Sequence, residues 1–354
     1  MMILNGSGST AGSRRGRSGS ALIVVLWVVT LLGMIVGSFA FDAHIEARLT
    51  SYYRKRSRAD YLARSGLEVA KVVVAKSTMV DANADGEAMA EEDRWYEDAL
   101  RLKQGDSVTV TESLDVGTLE LTIVSERARR NVNLLQDETE WEPVLEVADI
   151  PEDYWPELIE SFLDWTDADD VSRVDGAETD DFYDELDPPY RARNGALFTV
   201  DELLLIKGFS EAIVFGGALD PEDEDSLVVS GMADLLTVFG DRRINANSAS
   251  RRVLMTLPDP DGTADLVAGA IIEERSGATR PDSEENSFFE SDADLFMRVP
   301  EAGIPARRGY ITTSSSAFFR VTSVGIVGSI RRTISCIVQR TGSDFRVLRW
   351  SEEG

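Results

Sequence analysis

The sequence predicts an α+β protein in which a long N-terminal helix packs on an antiparallel β-sheet, with a large, mainly α-helical insertion between the strands. Three observations support this prediction. A helical pattern without proline follows an uncharged apolar run near the N-terminus, two β-hairpin patterns lie far apart in the chain, and a long acidic block with helical patterns separates them. The simplest arrangement joins both hairpins into one sheet and makes the block an insertion.

The N-terminal region predicts a membrane anchor that continues as a long helix. Small, polar and basic residues lead into a run without charge from 21 to 41. At 1.5 Å per residue this run spans about 30 Å, the hydrocarbon thickness of a bilayer, whereas a secretory signal peptide carries a shorter apolar region. Basic residues flank the run on both sides, so the positive-inside rule does not fix its orientation. The helical pattern continues to about Lys76, and its second half must pack on the sheet.

Alternating apolar and polar residues predict the strands. The first hairpin combines 107–111 with 119–125 around a turn at 115–117. The second combines 317–326 with 330–339 around 327–329, and a last short strand covers 345–350.

Charge and composition exclude several classes of function. The chain has 354 residues and a net charge of −27, from 63 acidic and 36 basic side chains, so phosphate backbones should repel it. Cys336 is the only cysteine and His44 the only histidine, which excludes an intramolecular disulfide and the common cysteine- or histidine-rich metal centres. A metal site would have to be built from carboxylates, which suit a hard cation such as calcium.

The acidic block predicts either a solvated acidic surface or a calcium site. Between 137 and 187 the sequence has 21 acidic residues and one basic residue, Arg173. Carboxylates spaced along a turn can converge on one cation and would otherwise repel one another. The candidate ligands are Asp164, Asp167, Asp169, Asp170, Glu178 and Asp181. A glycosidase with paired carboxylates is a weaker alternative, because no sequence feature marks one of these acids as having a raised pKa.

Two helical modules follow the acidic block. Thr199 and Glu202 have capping-box spacing, and Lys207 and Gly208 would close that helix. A second pair of helices would flank the turn at 257–262, which resembles a helix-hairpin-helix module that binds DNA in other proteins. Asp259 and Asp261 stand where phosphate-binding amides would be needed, so the module is interpreted as a packing scaffold. A membrane-anchored, extracytoplasmic DNA-binding module remains the alternative function.

The N-terminus resembles type IV pilin-like proteins. The residues Arg14, Arg15, Gly16, Arg17, Ser18 and Gly19, followed by the apolar run, are similar to their leader and first mature residues. In such proteins prepilin peptidase cuts the leader after a glycine, so the resemblance implies cleavage between Gly19 and Ser20 and methylation of Ser20. Most of these proteins carry glutamate at the fifth mature position, where this chain has Val24.

Further motifs resemble the minor pseudopilin K family of the type II secretion system, also called general secretion pathway protein K. These are 164–170, 176–178 with Tyr183, 200–203 leading to Lys207 and Gly208, and 244–250. The resemblance implies a pilin-like fold and a non-enzymatic subunit at the tip of a periplasmic pseudopilus. It also implies minor pseudopilins I and J and other secretion components as partners, no nucleic acid, and Ca2+ in the insertion.

These features predict five regions along the chain. They are a leader at 1–19, the transmembrane and long helix at 20–76, the first part of the α/β domain at 77–133, the inserted domain at 134–312 and the closing strands at 313–354. The expected location is the inner membrane, crossed once, with the globular part in the periplasm.

Overall fold

The computed structural model describes residues 18–80, 94–223, 225–277, 288–342 and 344–353. Residues 1–17 of the predicted leader lie outside the described residues. The chain divides into two compact units, Met1–Arg58 and Ala59–Gly354. Helix α1 extends from Ser18 to Lys76 and contributes to both units.

The first unit contains the apolar half of α1. Its apolar side chains face outwards, as Trp27 at 70% exposure and Phe39 at 76% show. The helix is long enough to cross a membrane, and its most apolar window has a mean hydropathy of 2.6 with none of it buried. Within the part of the chain that the structure describes, one apolar helix is thus suited to a single membrane crossing, and a globular domain follows it.

The second unit contains one five-stranded sheet in the order β1-β2-β9-β10-β11, and every pair of neighbours is antiparallel. Helix α2 (Tyr96–Lys103) precedes β1 (Val108–Leu114) and β2 (Gly117–Ser125). The second hairpin is formed by β9 (Phe318–Val327) and β10 (Ile330–Thr341), and β11 (Asp344–Glu353) completes the sheet. These strands confirm both predicted hairpins and the predicted fold class.

One face of the sheet packs on the second half of α1. Alternate residues of each strand face the helix, so Leu121 and Ile123 lie beside Val321 in a single apolar cluster. Helix α1 supplies residues three or four apart, and Ala63, Leu67 and Ala70 are therefore on its buried face. Cys336 is buried in the same cluster, as a small apolar side chain would be.

The insertion leaves the sheet after β2 and returns before β9. Its helices are α3 (Glu138–Val147), α4 (Trp155–Thr166), α5 (Glu211–Phe215), α6 (Arg251–Met255), α7 (Ala264–Arg275), α8 (Asp292–Arg298) and α9 (Pro305–Arg308). They enclose an apolar core of their own, in which the rings of Trp141 and Phe162 meet edge to face at 4.7 Å. The described residues of the domain therefore form two large hydrophobic cores, one under the sheet and one inside the insertion, besides two small clusters.

Short two-stranded ladders hold the irregular parts of the insertion. A parallel ladder joins β3 (Arg130–Asn131) to β6 (Leu236–Thr237), and β4 (Gly217–Ala218) pairs with β5 (Val228–Val229) in the antiparallel sense. A second parallel ladder joins β7 (Ile244–Asn245) to β8 (Ile311–Thr312). The two parallel ladders fasten the first and last residues of the insertion to its middle.

Ion pairs near the end of β2 connect the insertion to the sheet. Glu126 is fully buried, accepts a 2.9 Å hydrogen bond from Arg320 of β9 and accepts another from Thr237 of β6. Arg127 donates to Asp241 at 2.6 Å and to the carbonyl oxygen of Ser315 at 2.9 Å. These contacts fix the inserted domain on the strands that flank it.

The predicted helix after Thr199 differs in detail. Val200–Leu205 forms a 3-10 helix, and the Thr199 side chain makes no capping hydrogen bond. Glu202 instead accepts a 3.0 Å hydrogen bond from the backbone N–H of Phe198 and an ion pair from Arg193 at 3.2 Å. Glu202 therefore binds the backbone N–H of the residue before Thr199 and not that of Thr199 itself. Val200–Leu205 is wound more tightly than an α-helix.

Candidate functional site

The acidic site begins at the last turn of α4, where Asp164 is directed inwards. This helix is amphipathic, and Asp164 shares its buried face with Leu158, Phe162 and Trp165. The carboxylate is fully buried, and its Oδ2 accepts a 3.0 Å hydrogen bond from the backbone N–H of Arg173. A buried carboxylate requires such compensation, since an isolated one would be strongly destabilising.

The loop from 167 to 178 is shaped by a glycine and a lysine. A Cβ atom on Gly176 would lie 2.0 Å from the Oδ2 atom of Asp164, so only glycine allows this approach. Lys207 Nζ donates to the carbonyl oxygens of Asp175 at 3.2 Å and Gly176 at 3.1 Å. The motif at 176–178 and the pair Lys207 and Gly208 thus meet at the same loop, although about thirty residues separate them in the sequence.

Arg173 supplies the positive charge of the site. Its guanidinium pairs with Asp164 and donates to Asp167 at 2.8 Å, so it bridges two of the predicted ligands. The other oxygen of Asp167, Oδ1, is buried and has no hydrogen-bond partner. Sequence reasoning did not assign Arg173 a role, although it is the one basic residue between 137 and 187.

Glu178 is the least compensated group in this region. Its side chain is 2% exposed, and both carboxylate oxygens lack a hydrogen-bond partner. Burial, and then the negative charge of Asp164, raise the pKa of Glu178 to about 7, and the nearby backbone N–H of Thr179 offsets part of this rise. Asp167 and Asp170 raise this pKa further, which shows that four of the predicted ligands lie within electrostatic reach of one another.

The remaining candidates are nearer the surface. Asp181 accepts a hydrogen bond from the Ser172 hydroxyl and another of 2.8 Å from the N–H of Glu178, and both lower the pKa of Asp181. Asp169 accepts a 3.0 Å hydrogen bond from the N–H of Val171. Asp170 accepts one of 2.9 Å from Asn194, whose own Oδ1 atom is buried without a partner. Asn194 is a further oxygen donor that the sequence pattern did not reveal.

The carboxylates do not form a ready-made cation cage. Among the described residues, no group of three or more acidic, histidine or cysteine side chains is gathered closely enough to hold a metal. The positive charge between Asp164 and Asp167 comes from Arg173 in this arrangement. The unpartnered oxygens of Asp167, Asn194 and Glu178 nevertheless lie around the same loop, and they are the kind of hard donor that calcium prefers.

The raised pKa of Glu178 bears on the glycosidase alternative. A general acid needs a raised pKa and also access to the substrate. Glu178 satisfies the first condition, but its 2% exposure leaves no room for a sugar. Its pKa therefore reflects structural burial.

The aromatic members of the motifs pack against one another. The rings of Trp165 and Tyr183 meet edge to face at 5.1 Å, and those of Tyr183 and Tyr190 lie 5.3 Å apart. The Tyr183 hydroxyl also accepts a hydrogen bond of 3.3 Å from the N–H of Lys207. Trp165, Tyr183 and Tyr190 thus pack together next to the acidic loop.

The turn between α6 and α7 is closed by a buried cation. Arg307 is fully buried, and its Nη2 atom donates to Asp259 at 2.7 Å and to Asp261 at 2.8 Å. Asp259 also accepts a hydrogen bond of 2.7 Å from the N–H of Thr263. The aspartates thus satisfy the polar groups of the turn internally and place negative charge where a DNA phosphate would have to bind, which favours the packing-scaffold interpretation.

The described part of the processing site is helical. Gly19 and Ser20 lie in the first turn of α1, and Val24 follows in the apolar run. Val24 is 60% exposed, as its neighbours in the run are. It presents an apolar surface where the resemblance places a carboxylate in most pilin-like chains.

Comparison with known proteins gives a family for part of the chain and a fold for most of it. Residues 122–215 match the family model for type II secretion system protein K, first domain. A solved chain from the GspK–GspI–GspJ complex of the enterotoxigenic Escherichia coli type 2 secretion system superposes with a TM-score of 0.56 at 15% identity. The match covers 87% of this chain and 99% of that one. No curated protein matches the sequence.

The matched segment extends from within β2 through α3, α4 and the acidic loop to the end of α5. It contains the motifs at 164–170, 176–178 and 200–208 but not the one at 244–250. The solved chain shares the long helix, the antiparallel sheet and the helical insertion. The chain is therefore similar to protein K of the type II secretion system in this segment, and it shares the fold of the solved chain.

Proposed function

We propose that this chain is the tip subunit of a periplasmic pseudopilus, inserted in the inner membrane by α1 and joined to minor pseudopilins I and J. The solved relative comes from a complex with GspI and GspJ, which supports these partners. In this proposal the chain assists pseudopilus assembly and protein export together with other secretion components. It performs no chemistry of its own.

The observation that carries the tip position is the combination of Val24 with the insertion. A buried glutamate in an apolar helix is costly unless it is paired, and Val24 offers no carboxylate to the amine of a subunit above it. The insertion between β2 and β9 adds a second core and bulk to the globular domain. A chain with these two features can start a fibre and cap it, but is poorly suited to its middle.

The partner proposal is tested by co-purification of the full-length chain in detergent with candidate subunits I and J. A stable ternary complex by light scattering is the expected result. Failure of the full-length chain to associate with either subunit would contradict the proposal.

The processing proposal requires a separate experiment. The intact mass of the membrane-extracted chain should show loss of residues 1–19 and methylation of Ser20 only in cells that contain prepilin peptidase. A Gly19→Val variant should keep the leader, and Gly16→Val in the same leader serves as the matched control. A full-length chain in peptidase-containing cells, or one cut near Ala40, would identify an ordinary anchor or signal peptide.

We also propose that the acidic loop binds Ca2+ as a structural ion. The two unpartnered oxygens of Glu178 carry this proposal, because a buried ionised carboxylate without a partner is unstable. Asp164, Asp167, Asp169, Asp170, Glu178 and Asp181 are the proposed ligands. The ion would add to the positive charge of Arg173, which pairs with Asp164 and Asp167 but leaves Glu178 without a cation. Calcium fits better than magnesium, since its coordination number and geometry are more flexible.

Calorimetric titration of the chelator-treated, full-length chain tests this second proposal. Saturable binding of Ca2+, with much weaker binding of Mg2+, is expected. Equal binding of both ions would contradict the preference for calcium, and the absence of saturable binding would show that the loop is only a solvated acidic surface.

A further inference from the structure

A cationic segment occupies α1 from Arg48 to Arg58. It contains five basic residues and no acidic residue, whereas the first 58 residues have eight basic and two acidic residues in all. Residues 59–354 therefore hold 61 acidic against 28 basic side chains, a net charge of −33. The segment is thus a concentrated positive patch in a strongly acidic protein.

The cations of this segment lack partners within the described chain. Arg48, Arg54, Lys55 and Arg58 are exposed and Arg56 is half-buried, yet none of the five forms an ion pair or side-chain hydrogen bond with a described residue. The nearest acids before the segment, Asp42 and Glu46, do not bind them either. A row of unpaired like charges on one helix is unfavourable by itself, so the segment gains most from an external acidic surface.

Most of this charge lies on one side of the helix. Residues three, four and seven apart share a helical face. Lys55 and Arg58 are three apart, Arg54 and Arg58 four apart, and Arg48 and Lys55 seven apart. At 100° per residue these four side chains fall within an arc of about 120°. The arc is wide enough for a single neighbouring surface to contact all four.

Two tyrosines give the segment the composition of a protein interface. Tyr52 is 48% exposed and Tyr53 is 61% exposed, and their rings meet edge to face at 5.7 Å. Tyrosine and arginine are the residue types enriched where proteins bind each other, because both supply large contact areas with directed polar groups. Exposed aromatic pairs beside unpaired cations favour a protein partner over bulk solvent.

Lipid headgroups are too far away to be the partner of Arg54, Lys55 and Arg58, whereas Arg48, seven residues after Phe41, lies only about 10 Å along the helix. The uncharged run ends at Phe41, and Arg54 follows thirteen residues later, about 20 Å along a helix. The polar layer of a bilayer leaflet adds only about 5 to 8 Å beyond the hydrocarbon. The gap that remains exceeds the Debye length of about 8 Å at physiological salt, so the membrane's charge is screened there.

We infer that the cationic segment is a docking surface for an acidic surface on a neighbouring pseudopilin subunit of different sequence. This inference rests on the proposed function, since it assumes that the chain assembles with other subunits. Complementary charges steer the encounter of two proteins and fix their register more than they increase final affinity. The segment would therefore speed the addition of the neighbour and orient it along α1.

Charge reversal tests the inference in the full-length chain. The variant Arg54→Glu, Lys55→Glu, Arg58→Glu should associate with the neighbouring subunits at least tenfold more slowly at low salt, and its rate should no longer fall as salt rises. A charge-conserving variant, Arg54→Lys, Lys55→Arg, Arg58→Lys, should retain the wild-type rate. The matched control reverses three exposed cations of the globular domain, Arg191, Arg331 and Arg346, and so makes the same change in net charge.

The outcomes separate this inference from the proposed function. If wild-type chain binds the subunits and the segment variant does so at the same rate as the control, the inference is wrong while the proposed function stands. If even the wild type fails to bind, the proposed function fails and the inference with it. Slower binding by the segment variant alone supports both.

A photo-crosslinking residue in place of Tyr53 identifies the occupant. Crosslinks to an acidic stretch of another pseudopilin are the expected result. Crosslinks to a second copy of this chain, or to lipid in vesicles containing phosphatidylglycerol, would overturn the inference in favour of self-association or membrane binding.

Discussion

Gly325 of β9 and Ala59 of α1 approach so closely that a Cβ atom on Gly325 would lie 2.0 Å from the carbonyl oxygen of Ala59. Because the obstacle is backbone, a side chain at 325 can be accommodated only if the helix moves away from the sheet. Gly325→Ala should therefore lower the free energy of unfolding by about 1 to 3 kcal/mol. Urea unfolding of the full-length chain in detergent measures this change.

Gly309→Ala is the control for that substitution. No atom lies within 4 Å of a Cβ at this position, and its φ of −74° suits alanine. Its unfolding free energy should change by less than about 1 kcal/mol. Equal stability of the two variants would mean that the contact between helix and sheet is less tight than the structure shows.

Arg307 should be a costly cation to remove. It is fully buried and binds Asp259 and Asp261, so Arg307→Met leaves two carboxylates without their cation. Because the side chains of Asp259 and Asp261 are 26% and 48% exposed, water solvates part of the charge left behind, and loss of the buried hydrogen bonds of Arg307 should cost about 1 to 3 kcal/mol. Arg331, which is 59% exposed and pairs with Glu120, provides the comparison, and Arg331→Met should cost less than about 1 kcal/mol. Similar losses for both variants in urea unfolding would contradict the structural role assigned to Arg307.

The fold could be predicted from the sequence because the periodic patterns of its strands and of helix α1 are long and unambiguous. The turns at Gly117 and Gly328 separate strands with clean alternation, and both hairpins were predicted to within a few residues. The helix after Thr199 was not predicted correctly, since Glu202 binds Phe198 and Arg193 instead of completing a capping box. The proposed boundaries between domains stay a prediction.

The acidic site was harder to predict because its geometry depends on contacts between distant residues. The contacts of Lys207 with Gly176, and of Asn194 with Asp170, join segments that the sequence separates by tens of residues. The role of Gly176 follows only from its distance to Asp164. Composition could identify the carboxylates, but burial alone distinguishes Glu178 from the many acids around it.

The ionisation of Glu178 should make the metal-free protein less stable as pH rises. Its pKa is about 7 in the folded chain and about 4.5 otherwise, so folding favours the protonated form. The resulting penalty is absent below about pH 4.5, increases between pH 4.5 and 7, and is complete above pH 7, at about 1 to 3 kcal/mol once solvent screening is included. Glu178→Gln should remove this dependence and stabilise the chelated protein at pH 8, as measured by urea unfolding at pH 5 and pH 8.

The control for this variant is Glu185→Gln, which changes an exposed acid of the same region. It should leave the pH dependence of wild type unchanged. If calcium binds as proposed, adding Ca2+ at pH 8 should stabilise wild type and Glu185→Gln more than Glu178→Gln. An unaltered pH profile in Glu178→Gln would show that the buried carboxylate finds a partner in solution.

Gly176→Ala should damage the acidic loop without altering its charge. The added Cβ would lie 2.0 Å from Asp164 Oδ2 and 3.3 Å from the Cβ of Arg173, so the loop or the carboxylate must move. Such overpacking should cost about 1 to 3 kcal/mol in chelator. Because the displaced carboxylate is a proposed ligand, calorimetry should also show calcium binding at least tenfold weaker.

Gly195→Ala, whose nearest neighbouring atom is 3.9 Å away, should bind calcium as wild type does. Unchanged calcium affinity in a destabilised Gly176→Ala variant would remove Asp164 from the ligand set, because the ion would then be insensitive to the position of that carboxylate.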